Sequence, residues 1–195
     1  MINYISKIIL FGGSFDPPHF GHLKIIDNCC NEYDKLILMP SAHSPLKKNT
    51  PIAKAKYRIK MLEILIQELN FPIQIDDWEL NQPEPNYTYL TIQHVQNEHP
   101  NASISLVVGA DQLQQFQQWK NYQEILSSVH IIGFNRDNYN VAAIEGMNLT
   151  WIKDFKMDIS STEIREKIAR GDQLGNELPQ PVWDYIQENN LYGNE

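Results

Sequence analysis

The fold prediction depends on one stretch of this chain, Gly12-Gly13-Ser14-Phe15-Asp16-Pro17-Pro18-His19-Phe20-Gly21-His22. This stretch follows a short apolar run at residues 7–11 and precedes a helical pattern, so we expect it to form the loop between a strand and a helix. Ligands of open α/β sheets bind at the carboxyl ends of the strands. The two glycines let the backbone approach a phosphate closely, and the N–H groups at a helix start point at an anion. The stretch therefore predicts a phosphate-binding loop.

The rest of the chain alternates between apolar runs and helical patterns. The further apolar runs that we interpret as short buried strands are residues 36–40, 73–75, 104–108, 129–134 and 149–152. The helical patterns are residues 23–33, 53–69, 89–98, 111–126, 162–170 and 181–189. This alternation predicts an α/β fold, a doubly wound parallel sheet with helices on both faces. Because neither a repeat nor a convincing linker interrupts the pattern, we expect a single domain over residues 1–195.

Composition and charge exclude several classes of protein. The formal net charge of -8 argues against a general nucleic-acid binder, which needs a dominant basic surface. No segment reaches the roughly 20 apolar residues of a membrane span, and nothing at the N-terminus resembles a signal peptide. Cys29 and Cys30 are adjacent, which suits neither a disulfide nor a metal-ligand set. We expect a cytoplasmic protein that binds neither nucleic acid nor a membrane.

The two histidines of the loop admit a second interpretation. His19 and His22, three residues apart at a helix start, can donate to phosphate oxygens or ligate zinc. A zinc site needs a third ligand at a recognisable spacing, and the sequence offers none. A mere glycine turn with two surface histidines would leave the two stiffening prolines unexplained. We therefore expect phosphate donors and no metal ligand from the protein.

A second candidate phosphate site is Ile159-Ser160-Ser161-Thr162-Glu163-Ile164-Arg165. Ser160 and Glu163 have the spacing of a capping box, so the motif also fits an ordinary well-capped helix. Both interpretations hold together, because free N–H groups, hydroxyls and the Arg165 guanidinium converge on an anion at such a terminus. The segment is therefore a candidate for holding phosphates that the first loop does not reach.

Two further segments are candidates for contacts with nucleotide and acceptor. Asp111 follows the fourth predicted strand and Gly109, and its carboxylate can accept from ribose hydroxyls or cap a helix. Trp119 offers an aromatic face, although a core position is the simpler interpretation of a tryptophan. In Asn86-Tyr87-Thr88, backbone N–H groups can bind a carboxylate, and a helix N-cap fits this segment equally well.

Taken together, these motifs resemble the nucleotidyltransferase superfamily, whose (H/T)-x-G-H signature matches His19-Phe20-Gly21-His22. Residues 159–165 are similar to the I-S-S-T-x-I-R pattern of bacterial nicotinate-nucleotide adenylyltransferases, and residues 109–126 to their G-A-D-x-L…W…E-I-L pattern. The resemblance covers nearly the whole chain. It implies a Rossmann-like nucleotidyltransferase fold and transfer of the adenylyl group of ATP to nicotinate mononucleotide, a step of NAD biosynthesis.

The resemblance also implies roles for individual residues and partners. The expected partners are ATP, which carries Mg²⁺ with it, and nicotinate mononucleotide, while assembly into a homo-oligomer stays open. The expected catalytic residues are His19, His22 and Lys47. The residues expected to bind ATP are Gly12, Gly13, Ser14, Phe15, Gly109, Asp111, Ser160, Ser161, Thr162 and Arg165. The residues expected to bind the acceptor are Tyr87, Thr88 and Trp119.

The chain departs from this family at two positions. Leu90 stands where the family's S-Y-T-x-D-T pattern has aspartate, and Leu46 stands where its P-P-H-K pattern has histidine. Lys47 stays in register, and His43 is a candidate to compensate for the missing histidine. Because both ATP-phosphate motifs are intact, these departures concern the choice of acceptor more than adenylyl transfer.

Other functions remain alternatives at this stage. Within the superfamily, the acceptor is alternatively nicotinamide mononucleotide or phosphopantetheine. A redox enzyme with a similar sheet would carry G-x-G-x-x-G after the first strand and an acidic residue at the end of the second, and the sequence has neither. A nucleotide sensor without catalytic activity is not excluded by the sequence.

Overall fold

The structure of the chain is a computed structural model that describes residues 6–29, 32–43, 45, 50–134, 144–152 and 159–193. Its strands are β1 (Ser6–Gly13), β2 (Lys35–Pro40), β3 (Ile73–Ile75), β4 (Ala102–Gly109), β5 (His130–Phe134) and β6 (Leu149–Ile152). They form one sheet in the order β3-β2-β1-β4-β5-β6, and every neighbouring pair is parallel. All the strands predicted from the sequence are confirmed.

Helices connect these strands and follow the last one. The α-helices of the described residues are α1 (Phe20–Cys29), α2 (Ala55–Ile66), α3 (Thr88–Glu98), α4 (Ala110–Leu113), α5 (Tyr122–Ser128), α6 (Ser161–Arg170) and α7 (Gln180–Glu188). Short 3-10 helices lie at Trp78–Asn81 and Phe116–Gln118. The helical patterns predict these elements with shifted ends, except for the pattern at residues 111–126.

The prediction of one continuous helix over residues 111–126 is wrong. The structure has α4, a 3-10 helix and α5 in its place. Phe116 is fully buried, and its ring centroid lies 4.9 Å from that of Trp119. The backbone is extended at Trp119 (φ -69°, ψ 138°) and left-handed at Asn121 (φ 56°, ψ 35°), and an α-helix continues through neither conformation. Tertiary packing of two aromatic rings overrides the local helical pattern.

The sheet is buried on both faces, as the alternation of side chains along β1 shows. Ile9 and Phe11 pack in the core under α1, α2, α6 and α7, whereas Ile8 and Leu10 pack in the core under α3, α4 and α5. Ile8, Ile9 and Leu10 are at most 1% exposed. A parallel strand buried on both sides is the centre of a three-layer α/β arrangement, so the prediction of a doubly wound sheet is confirmed.

The order of the strands fixes where a ligand can bind. The chain winds from β1 outward to β3 and then returns to β4 on the other side of β1. Ligands of such sheets bind in the crevice at the carboxyl ends of the two strands where the order reverses. The parallel pairing of Leu10 with Leu106 brings the ends of β1 and β4, Gly13 and Gly109, to the same edge.

In the part of the chain that the structure describes, no helix combines the length and the apolar character needed to cross a membrane.

Candidate active site

A cleft of about 720 Å³ opens at the carboxyl ends of β1 and β4. Segments that the sequence suggested separately meet there. The predicted site residues that line it are Gly12, Gly13, Ser14, His19, His22, Tyr87, Thr88, Gly109, Asp111, Trp119, Ser160, Ser161, Thr162 and Arg165. The crevice at the reversal of strand order and the predicted binding residues therefore coincide.

Of the predicted site residues that the structure describes, Phe15 does not line the cleft. The Phe15 side chain is 1% exposed and packs in the core, with its ring centroid 5.4 Å from that of Phe11 and 5.0 Å from that of His22. The backbone of Phe15 is left-handed, with φ at 49°. Phe15 therefore anchors the loop by its side chain and presents no ring to a ligand. Lys47, and Leu46 beside it, lie outside the described residues.

The imidazoles of His19 and His22 lie together at the start of α1, with their ring centroids 3.8 Å apart. The backbone N–H of Gly21 donates to Nδ1 of His19, at 3.1 Å. The backbone N–H of His19 donates to Nδ1 of His22, also at 3.1 Å. A ring nitrogen that accepts a hydrogen bond carries no proton, so each neutral imidazole has its proton on Nε2. Backbone donors thus fix both histidines as Nε2–H donors in a cleft suited to an anion.

The second phosphate motif is joined to the first by hydrogen bonds. Oγ of Ser161 donates to the Pro17 carbonyl at 2.9 Å, and Nη1 of Arg165 donates to the Asp16 carbonyl at 2.6 Å. The bonded residues stand 144 and 149 positions apart in the sequence, yet they hold the two motifs together as one unit.

Capping and phosphate binding do not compete at the start of α6. Oγ of Ser160 accepts from the backbone N–H of Glu163 at 3.2 Å, which is the capping interaction that the spacing predicts. Ser161, Thr162 and Arg165 line the cleft beside it. The same helix end therefore has a satisfied cap and polar side chains that face the cleft.

Asp16 is a residue of the cleft that the sequence motifs did not single out. Its carboxylate is 2% exposed in a loop expected to bind anions. Oδ2 accepts from the backbone N–H of Ile52 at 2.7 Å, while Oδ1 accepts from the backbone N–H of Ala53 at 3.1 Å and from the Tyr192 hydroxyl at 2.7 Å. These donors hold the carboxylate away from the role of a ligand. An acidic residue inside a predicted phosphate loop was the available signal of such a structural role.

Two further side chains complete this polar network. Arg58 is 2% exposed, and its Nη1 donates to the Ser14 carbonyl at 2.6 Å. Burial lowers the pKa of Arg58, and the nearby Asp16 carboxylate offsets part of that shift. Burial, reinforced by the Asp16 carboxylate, raises the pKa of Tyr192, so its hydroxyl stays a donor. Together, Asp16, Arg58 and Tyr192 fix the backbone of the loop.

Tyr87 and Thr88 stand at the start of α3 on another side of the cleft. Tyr87 is the N-cap residue, with an extended backbone (φ -107°, ψ 125°), and its side chain makes no capping hydrogen bond. The carbonyl of Tyr87 accepts from the N–H of Leu90 at 2.9 Å. The N–H groups of Thr88 and Tyr89, in the first turn, have no helical acceptor, which is the general condition of a helix start. These donors suit the carboxylate that the sequence analysis assigned to this segment.

Asn86 joins the segment before α3 to the loop after β2. It is 9% exposed, and its Oδ1 accepts from the backbone N–H groups of Ala42 and His43, both at 3.1 Å. Its Nδ2 donates to the Glu79 carbonyl at 3.0 Å. Asn86 is therefore a bridge between loops and not the helix cap. Leu90 departs from the family pattern, and His43 is the candidate to compensate for the histidine missing at position 46. Neither residue lines the cleft in the described structure.

The end of β4 and the turn after α4 supply another side of the cleft. A Cβ on Gly109 would lie 2.6 Å from Oδ1 of Asp111 and 3.1 Å from Cζ of Phe134, so only glycine leaves this carboxylate where it is. Trp119 is partly buried against Phe116 and lines the cleft. Trp119 therefore packs against the core and also presents an aromatic face to the cleft. Its position is compatible with both interpretations, a core residue and a surface for a ligand.

Sequence analysis also missed Lys120 and Glu79, which line the cleft near Tyr87. Nζ of Lys120 lies 4.4 Å from the centroid of the Tyr87 ring. Glu79 is 8% exposed and accepts a short hydrogen bond from Thr91. Burial raises the pKa of Glu79, while the bond from Thr91 opposes that shift. We name Tyr87, Thr88, Trp119 and Lys120 the acceptor wall, after the role that the sequence predicts for the first three.

Metal ligands do not gather in the described part of the chain. It contains no group of three His, Cys, Asp or Glu side chains that could hold a metal ion. Nδ1 of both His19 and His22 accepts a backbone hydrogen bond, so the proton of each neutral ring is on Nε2. A protonated Nε2 can donate a hydrogen bond but cannot ligate a metal. This donor set fits hydrogen bonds to phosphate better than it fits zinc.

A parallel sheet in this strand order, with a histidine-bearing loop at the reversal, defines a Rossmann-like α/β fold. Residues 10–167 match the model of the cytidylyltransferase-like family, and the chain belongs to that family.

The curated relatives described next carry the name of one enzyme. A protein of Methylacidiphilum infernorum named "Probable nicotinate-nucleotide adenylyltransferase" is 35% identical over 189 residues, covering 95% of this chain and 92% of the relative. A protein of Clostridium tetani with the same name is 32% identical, covering 96% of this chain and 100% of the relative. The resemblance to nicotinate-nucleotide adenylyltransferases stated from the sequence motifs is confirmed.

Solved structures support the fold. The nicotinic acid mononucleotide adenylyltransferase of Plasmodium falciparum, complexed with NaAD, superposes with a TM-score of 0.80 at 20% identity, covering 96% of this chain and 97% of that one. Its complex with APC gives a TM-score of 0.79 over the same shares of each chain. The expected nucleotidyltransferase fold is confirmed.

Gly21→Ala is expected to weaken ATP binding about tenfold, the effect of losing about 1.4 kcal/mol at one displaced donor. A Cβ at this position would lie 2.8 Å from Cε1 and 2.9 Å from Nδ1 of His19, so the imidazole has to move. Calorimetric titration with ATP measures the change. Gly193→Ala is the control, because a Cβ there meets nothing within 4 Å. Equal affinities for ATP in the two variants would show that the position of the His19 imidazole does not determine how tightly ATP binds.

Proposed function

We propose that this protein transfers the adenylyl group of ATP to nicotinate mononucleotide, giving nicotinate adenine dinucleotide and pyrophosphate. The observation that carries the proposal is the union of two phosphate-binding motifs, by the bonds from Ser161 and Arg165 to the loop, beside the acceptor wall in one cleft. The curated relatives agree with it over 95% of the chain. A single cleft thus offers groups for both substrates of an adenylyl transfer.

The reaction needs positioning more than it needs a reactive side chain. A phosphate oxygen of the mononucleotide attacks the α-phosphorus of ATP, and the bond from that phosphorus to the bridging oxygen of pyrophosphate breaks. The attacking group is already an anion, so no covalent intermediate with the enzyme is required. Alignment of two bound substrates supplies about 7–11 kcal/mol of barrier reduction.

The loop after β1 acts on the phosphorus that reacts. Nε2–H groups of His19 and His22 donate to the oxygens of the α-phosphate, where negative charge builds up in the transition state. The backbone hydrogen bonds to both Nδ1 atoms keep these donors oriented before the substrate arrives. The network around Asp16 keeps the loop itself in place.

The start of α6 holds the phosphates that leave. Ser161, Thr162 and Arg165 lie beside the loop, and a guanidinium forms strong charge-assisted bonds to phosphate oxygens. Nε of Arg165 is buried and has no hydrogen-bond partner among the described residues, which leaves a donor for pyrophosphate. The bonds from Nη1 to Asp16 and from Nη2 to Thr162 orient the rest of the group.

The acceptor wall recognises the pyridine ring. The face of Trp119 is available for stacking, and the N–H groups of Thr88 and Tyr89 at the start of α3 can donate to a ring carboxylate. Asp111 lines the cleft at the end of β4 and is a candidate to accept from a ribose hydroxyl.

Magnesium enters the proposal as part of the ATP complex. The ion would be held by phosphate oxygens and water, as is usual where magnesium meets nucleotides, and it neutralises phosphate charge. The protein's own contribution is to bind the phosphates, through the loop after β1 and the start of α6. A role for Lys47, a cytoplasmic location, a single domain and the state of assembly stay predictions.

The acceptor is tested by measuring the release of pyrophosphate from ATP with nicotinate mononucleotide, nicotinamide mononucleotide and phosphopantetheine in parallel. We expect kcat/KM for the nicotinate compound to exceed that for the amide by more than about tenfold, since amide N–H groups would oppose the donors of α3, and each 1.4 kcal/mol of mismatch is tenfold. Equal values, or a preference for either other acceptor, would refute the proposed specificity.

His22→Ala is expected to lower kcat by about 100- to 1000-fold, the usual loss when one donor to a developing charge is removed, 2.7–4 kcal/mol. His130→Ala is the matched control, because His130 lies at the other end of the sheet and contacts Thr150 at 3.0 Å. Steady-state turnover with both substrates saturating gives the comparison. A folded His22 variant with near-normal kcat would remove His22 from the reaction.

A further inference from the structure

Lys120 stands next to Trp119, in the turn that precedes α5, and its ammonium lies over an aromatic ring of the same cleft. Nζ of Lys120 is 4.4 Å from the centroid of the Tyr87 ring. Both residues line the cleft. A cation over the face of a tyrosine ring is attracted by the negative charge density of that face. Tyr87 thus holds the ammonium of a flexible side chain within the acceptor wall.

Lys120 brings a positive charge to this side of the cleft. Among the described residues that line the cleft, the lysine and arginine side chains are Lys120 and Arg165. Arg165 is bonded to the phosphate loop through Asp16 and belongs to the phosphate side. Lys120 is therefore the cation of the acceptor wall in the described structure.

Acidic groups also line this cleft, namely Asp16, Glu79 and Asp111. The formal net charge of the whole chain is -8. An anionic ring substituent that enters beside Tyr87 therefore meets an unfavourable field unless a cation lies close by. Neutral backbone donors at the start of α3 orient a carboxylate and oppose the N–H groups of an amide, but they carry no net charge. A full positive charge distinguishes the two substituents, because the carboxylate is an anion and the amide is neutral.

We infer that Lys120 is a specificity-determining residue, whose ammonium attracts the ring carboxylate of the acceptor and so favours the acid over the amide. This inference rests on the proposed adenylyl transfer and adds the group that distinguishes the charge of the acceptor. Tyr87 has two parts in it: its ring holds the ammonium, and its backbone begins the helix whose N–H groups face the same carboxylate. The ion pair is partly open to solvent, because Lys120 is an exposed residue.

The test measures kcat/KM for nicotinate and for nicotinamide mononucleotide in four proteins: the unchanged chain, Lys120→Gln, Lys120→Arg and Lys56→Gln. Lys56 is the matched control because it is also an exposed lysine over a tyrosine, with Nζ 4.7 Å from the Tyr57 ring centroid, but it does not line the cleft. The ratio of the two kcat/KM values is the quantity compared, since partial unfolding lowers both values alike.

For Lys120→Gln we expect the acid-to-amide ratio to fall by about three- to tenfold, the range for an ion pair at a partly exposed site. Lys120→Arg keeps the cation and should retain most of the ratio, and Lys56→Gln should retain all of it. Raising the ionic strength should lower the ratio in the unchanged chain and have little effect in Lys120→Gln, because salt screens the pair.

Two results would overturn the inference, and only the second would also refute the proposed function. A ratio in Lys120→Gln equal to that of the unchanged chain, together with normal turnover of the acid, removes Lys120 from acceptor selection and leaves adenylyl transfer in place. Absence of turnover of either mononucleotide by the unchanged chain refutes the proposed function itself, and the role of Lys120 with it.

Discussion

The candidate site depends on a buried carboxylate inside a loop that is proposed to bind phosphate. Unpaired, Asp16 would repel phosphate and would carry a large desolvation cost. Two backbone N–H groups and the Tyr192 hydroxyl satisfy it instead, at 2.7–3.1 Å. The carboxylate thereby fastens the loop to the segment before α2 and to the end of the chain. The loop then presents His19 and His22 in fixed orientations to a substrate.

The same constraint explains why two distant motifs form one unit beside the cleft. Arg165 donates to the backbone of Asp16, and Ser161 to that of the next residue, so α6 is attached to the loop that Asp16 immobilises. An enzyme that works by alignment gains from such rigidity, because the entropy of positioning is lost during folding and not at each turnover. The acceptor wall is built differently, from a helix start, a tryptophan and an exposed lysine, and it is the side on which specificity can vary.

The sequence predicts well whatever depends on local pattern and poorly whatever depends on contacts between distant segments. Apolar runs predict all six strands, and most of the residues that two motifs predict to bind phosphate line the cleft. The contact between Asp16 and Tyr192 spans 176 residues, and no local pattern signals it. Phe15 has a motif position but a core environment, and the break after Phe116 follows from aromatic packing that a helical pattern does not contain. Likewise, Lys120 meets Tyr87 only in the folded chain.

The central claim, that the Asp16 network positions the catalytic loop, is tested most directly by kcat/KM for adenylyl transfer to nicotinate mononucleotide in Asp16→Asn. Asparagine keeps the size of the side chain, but it turns an NH₂ group toward one of the donors that now face the carboxylate. We expect a loss of at least about tenfold in kcat/KM, since a buried donor left unpaired costs about 1–3 kcal/mol, in a protein that keeps its native circular dichroism spectrum. Unchanged kcat/KM in that variant would contradict it.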